Sequence, residues 1–329
     1  MLARAICCSV RGISGVPVEV EADLSSGLPS VTIVGLTDRS IQEARERVRG
    51  AIRNAGYEFP ARRLTVNLAP AEVPKEGTGF DLAIAVAVLR AGGMDLDLHG
   101  RALLGELGLD GTVRPVTGVL PMVRCLAASG VREVLVPIEN ALEAALVEGI
   151  HAIPVASLQR CVDHLSGASV LARVDSTMSG LVELVVSGVD LADIRGQESA
   201  KRALEIAAAG AHNLLMLGPP GSGKTLLASA LPALLPDLAP DAALETAAIY
   251  SLRGALGDRP AHSVRPPFRA PHHSISPSWL DRRRHRIRAA WRTEFGQQWR
   301  AVSRRTLRIS AQPYRGVTAT IGTAHHQHC

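Results

Sequence analysis

One stretch constrains the fold of this chain more than any other. The apolar run LLML at 214–217 passes directly into the glycine-rich loop GPPGSGKT, and an apolar helical pattern follows, with Pro232 and Pro236 at its end. The loop has the spacing G-x-x-x-x-G-K-[ST] between a strand and a helix, which is the pattern of a phosphate-binding P-loop. We therefore expect a buried strand, a phosphate cradle and a helix. The predicted nucleotide-binding residues of the loop are Gly218, Pro219, Pro220, Gly221, Ser222, Gly223, Lys224 and Thr225.

The residue types in this loop suit the binding of ATP with Mg²⁺. Glycines allow backbone N–H groups to converge on phosphate oxygens, and the positive end of the following helix faces the same charge. The ammonium of Lys224 can reach the β- and γ-phosphates, and the hydroxyl of Thr225 is the predicted ligand of the Mg²⁺ that accompanies the nucleotide. ATP and Mg²⁺ are therefore the predicted cofactors.

Strand and helix patterns alternate along the rest of the chain, which predicts an α/β fold in both of its parts. A predicted linker at 171–188, rich in small residues, separates a first domain at 1–170 from a second at 189–277, and a tail of different composition occupies 278–329. In the first domain the predicted elements are strands at 16–22, 63–68, 133–137 and 151–155, a hairpin that turns at Asp110-Gly111, and helices from Asp38 to a stop at Gly56 and at 79–91, 118–129, 139–148 and 157–165.

Hydrolysis needs more than a P-loop. An ATPase of this kind has a second strand of apolar residues that ends in Asp-Glu, because the Asp supports Mg²⁺ and the Glu polarises the attacking water. Residues 226–329 contain no apolar run that ends in Asp-Glu or Asp-Asp. We therefore expect no intact set of catalytic residues and little or no hydrolysis of the bound nucleotide.

Charge and cysteine content narrow the class of protein. The net charge is +5, but residues 281–329 hold 11 Arg against 2 acidic residues, so the basic balance comes from the tail and says little about the body. The five cysteines have no disulfide-framework spacing, which favours reduced thiols in the cytoplasm. The N-terminus does not have the pattern of a signal peptide, and no apolar run reaches the length of about 18 residues that predicts a membrane span.

Several segments carry a more specific resemblance. IRGQ at 194–197 with the helix after it, LLMLGPPGSGKT, and PFRAPHHSIS at 267–276 resemble the magnesium-chelatase-like AAA+ ATPases. The earlier segments VEVEADLSSGLPSVTIVGL and NLAPAEVPKEGTGFDLAIAVAVL are similar to the ComM/YifB branch of that family. The resemblance extends over residues 1–277 and implies an N-terminal Lon-protease-like α/β domain followed by a P-loop AAA+ domain, which is incomplete here. It also implies ATP-driven hexameric rings that act on DNA in branch migration during natural transformation.

The resemblance also implies roles for residues outside the loop. Ile194 and Gly196 match the family segment that lies against the adenine of the nucleotide. His272 and His273 match a family signature, but two adjacent histidines cannot complete a zinc site, so a structural or solvated role is expected.

The Lon-like first domain raises the question of protease activity. In the segment PKEGTGFDLA the position of the nucleophilic serine falls near Gly79, and the partner lysine should lie near Leu120. No lysine occurs between Lys75 and Lys201. A Ser-Lys dyad needs both members within hydrogen-bond reach, so we expect a non-proteolytic structural or interaction module.

The tail differs in composition from everything before it, since the chain's three tryptophans lie within it among many arginines. A basic arm for nucleic acid and a solvated disordered segment are both compatible with that composition. A zinc site in the terminal HHQHC is disfavoured, because four ligands within five positions cannot easily surround one tetrahedral ion. Its ligands would be His325, His326, His328 and Cys329.

A shift of reading frame is a further interpretation of the tail. With the permitted codons TGG CGT GCT GTT TCT CGA CGA AC for residues 299–306, a one-base advance reads Gly-Val-Leu-Phe-Leu-Asp-Glu, which is the missing acidic segment at about the expected place. We hypothesise that the tail from about residue 278 is translated out of frame and lacks a stable structure. Because these codons are a choice among synonyms, the coding DNA is the test, and a one-base shift that gives no apolar strand ending in Asp-Glu would refute the hypothesis.

The function that these features favour is that of an ATP-binding, hydrolysis-deficient AAA+ protein of the ComM/YifB type, with DNA as its partner. A homo-hexamer is implied for intact relatives, and the cytoplasm is the expected location. A magnesium-chelatase-type motor subunit is the alternative within the same fold, and the Lon-like domain disfavours it. An alternative of another class is a non-catalytic DNA-binding protein that uses the Arg-rich tail.

Overall fold

The chain forms two compact units in a computed structural model. The first unit contains residues 1–182 and 246–261, and the second contains 183–245 and 262–329. The boundary lies inside the predicted linker, whereas residues 246–261, which the sequence pattern assigns to the second domain, belong to the first unit. The structure describes residues 2–35, 38–72, 75, 77–174, 189–212, 214–219, 221–254, 266, 309–314 and 316–321.

A mixed, mostly parallel sheet forms the centre of the first unit. The strands in its described part are β1 (Leu2–Arg11), β2 (Ser14–Ser25), β3 (Ser30–Val34), β4 (Arg63–Ala69), β5 (Arg101–Leu103), β6 (Glu106–Leu107), β7 (Val113–Arg114), β8 (Glu133–Pro137) and β9 (His151–Val155). Seven of them form one sheet in the order β3-β4-β2-β1-β5-β8-β9, and β6 and β7 form a separate hairpin. β2 is antiparallel to β1 and β4, and the other pairs in the large sheet are parallel. Val18, Val20 and Ala22 alternate along β2 and are all fully buried, so one face of this strand packs against the core.

The helices of the first unit lie close to their predicted positions. They are α1 (Asp38–Asn54), α2 (Asp81–Ala91), α3 (Val119–Ala128), α4 (Ile138–Ala144) and α5 (Leu158–Leu165). α1 buries Ala44, Val48 and Ile52, which recur at helical spacing, and the chain leaves the helix through Gly56 at a φ of +86°. α2 is buried along nearly its whole length and packs on β1 and β2, so it forms the centre of the core.

The second unit has a smaller core beside the P-loop. Its described elements are a 3₁₀ turn (Leu191–Asp193), α6 (Glu198–Gly210), β10 (Leu215–Gly218), α7 (Lys224–Leu234), α8 (Pro240–Ser251, which extends into the residues of the first unit), β11 (Ile309–Tyr314) and β12 (Gly316–Ile321). Ile194, Leu204, Leu227 and Leu231 are buried in one cluster there, so α6, α7 and the segment before α6 share this core. In the described residues of the chain, no helix is both long and apolar enough to cross a membrane.

Three features of the second unit differ from the sequence expectation. β10 was expected to be buried, but Leu215 and Leu217 on one of its faces are 53% and 70% exposed, so that face is only partly covered. α7 continues through Pro232 to Leu234, because the fixed φ of proline is compatible with a helix, although one backbone N–H donor is lost in the last turn. The tail was expected to lack structure, yet β11 and β12 are paired strands, and β12 is antiparallel to β10. Both strands contain β-branched residues, which favour extended chain.

Candidate nucleotide-binding site

The P-loop connects β10 to α7 and takes its shape from two glycines. Gly221 and Gly223 both have a φ of +80°, in the left-handed region that side chains disfavour. A Cβ at either position would meet no atom within 4 Å, so the backbone conformation and not crowding requires glycine. Gly223 is the N-cap of α7, and Lys224 is the first residue of the helix. The predicted strand–loop–helix arrangement of the motif is therefore confirmed.

Lys224 holds the two sides of the loop together. Its ammonium donates to the carbonyl oxygen of Gly218 at 2.9 Å, to that of Pro219 at 2.6 Å and to the hydroxyl of Ser222 at 2.9 Å. An ammonium has three donors, so these three oxygens complete its hydrogen bonding. The lysine nitrogen therefore lies inside the loop, with the positive charge that a phosphate would need.

The start of α7 suits an anionic ligand. No side chain caps the helix at Gly223, and its first turn contains no acidic residue. Backbone N–H groups at such a terminus favour negative charge. Thr225 lies in this first turn and is exposed, as a hydroxyl that should reach a nucleotide-bound Mg²⁺ must be. The donors present therefore fit a phosphate with its cation, while Pro220 lies outside the described residues.

The two residues assigned to the adenine side lie on the same unit. Ile194 is 5% exposed and belongs to the same buried cluster as Leu227 of α7. Gly196 is exposed and has a φ of +65°. The structure thus links the Ile194 segment to the helix that follows the P-loop. The Ile194 side chain contributes to the core, and its contact with adenine stays a prediction.

Other predicted sites fall largely outside the described residues. These include His272, His273, the terminal histidines with Cys329, and residues 299–306 of the frame-shift hypothesis. Within the part of the chain that the structure describes, no group of three or more His, Cys, Asp or Glu side chains could hold a metal ion.

The positions that correspond to the Lon dyad lie in the first unit. A Cβ at Gly79 would have Val116 Cγ1 as its nearest neighbour, at 3.6 Å, so the segment before α3 does approach this glycine. Leu120 in α3 is fully buried. The structure therefore brings the two chain segments close to each other, with a glycine and a buried leucine at the places where the resemblance puts the catalytic serine and lysine.

An ion pair beside this region was not predicted from the sequence. Arg47 of α1 donates to both carboxylate oxygens of Asp81, with Nε–Oδ2 at 2.7 Å and Nη2–Oδ1 at 3.2 Å. Asp81 is 1% exposed, and burial raises the pKa of its carboxyl from 3.8 to about 6, although the hydrogen bonds and charge of Arg47 lower it. The only sequence signal was a single acidic residue at the start of the otherwise apolar α2.

Comparisons with known proteins place this site in a family. The family described as "Subunit ChlI of Mg-chelatase" matches residues 20–140, and "Magnesium chelatase, subunit ChlI" matches residues 190–280. YifB of Escherichia coli is 44% identical over 272 residues, which cover 80% of this chain and 52% of YifB. Competence protein ComM of Haemophilus influenzae is 44% identical over 271 residues, which cover 80% of this chain and 52% of ComM. This chain belongs to the magnesium-chelatase-like family, in its ComM/YifB branch.

The similarity within the ComM/YifB branch covers only part of each relative. An uncharacterized protein of Mycobacterium tuberculosis is 49% identical over 278 residues, or 84% of this chain and 54% of the relative. The chain thus spans about half the length of the relatives it matches. A weaker similarity to Lon protease 2 of Bacillus subtilis, 27% identical over 149 residues and 43% of this chain, fits the mixed α/β fold of the first unit.

Proposed function

We propose that this ComM/YifB-type protein binds ATP with Mg²⁺ at the P-loop, residues 218–225. The observation that carries the proposal is Lys224, whose ammonium lies inside the loop on three oxygen acceptors, next to a helix terminus without an acidic residue. Lys224 would hold the β- and γ-phosphates, and Thr225 would hold Mg²⁺. The bound cation supplies charge compensation for the phosphates. The Ile194 and Gly196 segment would lie on the adenine side.

We further propose that the chain does not hydrolyse ATP efficiently. Residues 226–329 contain no apolar strand that ends in Asp-Glu, so no residue is assigned to polarise an attacking water. Lys224 and the N-terminus of α7 would still stabilise bound phosphate in the absence of such a residue. We therefore expect this chain to bind ATP but not to hydrolyse it efficiently.

We propose DNA as the partner of this chain. The name of ComM is that of a competence protein, and we extend a role in DNA handling to this chain from that relationship. A homo-oligomer in the cytoplasm, hexameric in intact relatives, is part of the same proposal. The proposed role of the first unit is structural or interactive, because Gly79 and Leu120 stand at the positions of the Lon dyad.

Titration of the full chain with a fluorescent ATP analogue in the presence of Mg²⁺ tests the binding proposal. Loss of a charge-assisted hydrogen bond costs about 1.5–3 kcal/mol, so Lys224→Ala should weaken binding by about 10- to 150-fold. Lys201→Ala is the matched control, because Lys201 is a lysine of the same unit outside the P-loop and forms a local ion pair in α6, with Glu198 at 3.5 Å. Equal binding by both variants and the wild type would show that the P-loop is not the site.

Phosphate release measured on the same three proteins tests the second proposal. We expect the wild type to release phosphate no faster than Lys224→Ala. Turnover that depends on Lys224 at the usual rate of an AAA+ enzyme would contradict hydrolysis deficiency and leave the binding proposal intact.

A further inference from the structure

A groove lined by arginines belongs to the first unit, whereas the P-loop belongs to the second. Its walls are one face of α1, the start of β3 and the loop that leads into β4. The four arginines are all exposed, and the aromatic ring among them is half-buried. We call this set the arginine groove, and its residues are Arg45, Arg49, Arg53, Phe59 and Arg62.

The arrangement of charge in the arginine groove does not serve the stability of α1. Arg45, Arg49 and Arg53 are each four residues apart, so they share one face of the helix at intervals of about 6 Å. Like charges at this spacing destabilise a helix by about 0.2–0.5 kcal/mol per pair. Arg53, in the last turn, gains from the helix dipole, but Arg49 in the middle of the helix has no such compensation.

Little of this positive charge is neutralised within the protein. Arg45 forms an exposed ion pair with Glu46 at 3.2 Å. In the part of the chain that the structure describes, no ion pair involves Arg49, Arg53 or Arg62. An exposed groove in which three guanidinium groups form no described ion pair attracts an anion with several charges.

The ring of Phe59 contacts one of the arginines of the groove. The guanidinium carbon of Arg49 lies 5.9 Å from the centre of the Phe59 ring, which is within the range of a cation–π contact. This contact restricts the Arg49 side chain before any ligand arrives. A positively charged groove that combines arginines with an aromatic ring is the usual surface for the backbone of a single-stranded nucleic acid.

We propose that the arginine groove binds the phosphodiester backbone of single-stranded DNA. The three arginines of α1 follow one another at a spacing comparable to that of neighbouring phosphates along one strand, and Arg62 adds a fourth donor from the loop that leads into β4. Such contacts are made to phosphates, so binding should be independent of base sequence. The proposal rests on the DNA part of the proposed function and gives it a surface that is separate from the nucleotide site.

The test is fluorescence anisotropy of a labelled oligothymidine with the full chain at a series of salt concentrations. The variant Arg45→Gln/Arg49→Gln/Arg53→Gln is compared with Arg124→Gln/Arg132→Gln/Arg160→Gln, which removes the same charge from exposed positions elsewhere on the unit. Both variants keep the Arg-rich tail, and Gln preserves helix propensity. By the counterion-release relation for single strands, the groove variant should bind about 100-fold more weakly at about 0.1 M salt and lower the salt slope by about 2. The control variant should stay within a few-fold of the wild type.

Each of the following outcomes would refute the proposal that the arginine groove binds single-stranded DNA. If the groove variant binds the oligothymidine as tightly as the wild type, the tail or another face of the protein binds DNA. If both variants lose affinity equally, net charge alone accounts for the loss. Competition by duplex DNA or heparin as strong as that by the single strand would indicate a general polyanion surface. A wild type that binds no DNA would overturn the DNA part of the proposed function as well, whereas ATP binding by Lys224 is measured separately.

If the groove variant loses its far-UV circular dichroism, the single pair Arg49→Gln and Arg124→Gln repeats the comparison. A loss of about five-fold at about 0.1 M salt is then expected for Arg49→Gln alone. Equal affinities for the two single variants would count against the groove.

Discussion

The ion pair between Arg47 and Asp81 yields a pH-dependent prediction. In the wild type, the folded-state pKa of Asp81 is about 6, above its unfolded value of 3.8. The folded state therefore binds the proton more tightly, and its stability decreases as the pH rises from about 4 to about 6, above which this contribution is constant. Replacing Arg47 by Met removes the hydrogen bonds and the charge that lower the pKa of Asp81. The stability of the variant should therefore continue to decrease as the pH rises above about 6.

The size of the effect follows from the pKa difference. One pKa unit corresponds to about 1.4 kcal/mol, so the stability difference between wild type and Arg47→Met should grow by about 1.4 kcal/mol per pH unit above about pH 6. Below about pH 5, Asp81 is protonated in both folded proteins and this contribution to the difference vanishes. What remains there is the loss of the two hydrogen bonds and of the packing of the arginine stem.

Urea unfolding followed by far-UV circular dichroism from about pH 5 to about pH 8 measures this difference. Arg132→Met is the control for loss of an exposed arginine, and Asp81→Asn combined with Arg47→Met removes the titrating group. We expect the double variant to show no growth of the difference with pH. If the free energy of unfolding of Arg47→Met changes with pH in parallel with that of the wild type over the whole range, the proposed titration of Asp81 is refuted.

Three glycines give further predictions. Gly223→Ala places a side chain at a φ of +80°, which costs about 1–2 kcal/mol, and it should weaken binding of the fluorescent ATP analogue while the unfolding of the first unit is unchanged. Gly15→Ala puts a Cβ 2.6 Å from both Cys125 Cβ and the Pro121 carbonyl oxygen and should lower the free energy of unfolding by about 1–3 kcal/mol, which denaturant titration would detect. Gly79→Ser meets its nearest atom at 3.6 Å and should unfold at the same urea concentration as the wild type. It should also leave a casein substrate uncleaved, since Leu120 stands where the partner lysine is expected, and measurable cleavage would contradict our interpretation of this domain.

The parts of the fold that the sequence predicts well depend on short stretches of chain. The P-loop follows from the glycines and Lys224, because the need for a positive φ and the start of a helix are set within eight residues. The hairpin at Asp110-Gly111 is confirmed by the pairing of β6 with β7, and Gly111 has the expected positive φ. The strand at 151–155 agrees with β9 at both ends.

The features that were missed depend on distant neighbours. β1 lies inside the sheet, but small residues and cysteines occupy its buried positions, including Ala5 and Cys7, and give a weak strand signal. Arg47 and Asp81 are 34 residues apart, so nothing local indicates their pairing. The arginines of α1 are visible in the sequence, but their alignment with Phe59 depends on the path of the chain after the helix. The exposure of Leu217 depends on which elements cover β10, and apolar character alone cannot show that.

The hydrogen bonds of Lys224 have a consequence for how a ligand would enter the loop. The ammonium already has three oxygen partners from its own chain, so phosphate oxygens would replace acceptors and not add to them. The enthalpy gained at this residue is then the difference between two sets of contacts, and two peptide carbonyls and a serine hydroxyl must find water when the phosphates arrive. On release, the same three oxygens would again accept hydrogen bonds from the ammonium and restore the shape that the loop has here. Lys224 would therefore both recognise the proposed ligand and keep the loop in shape between binding events.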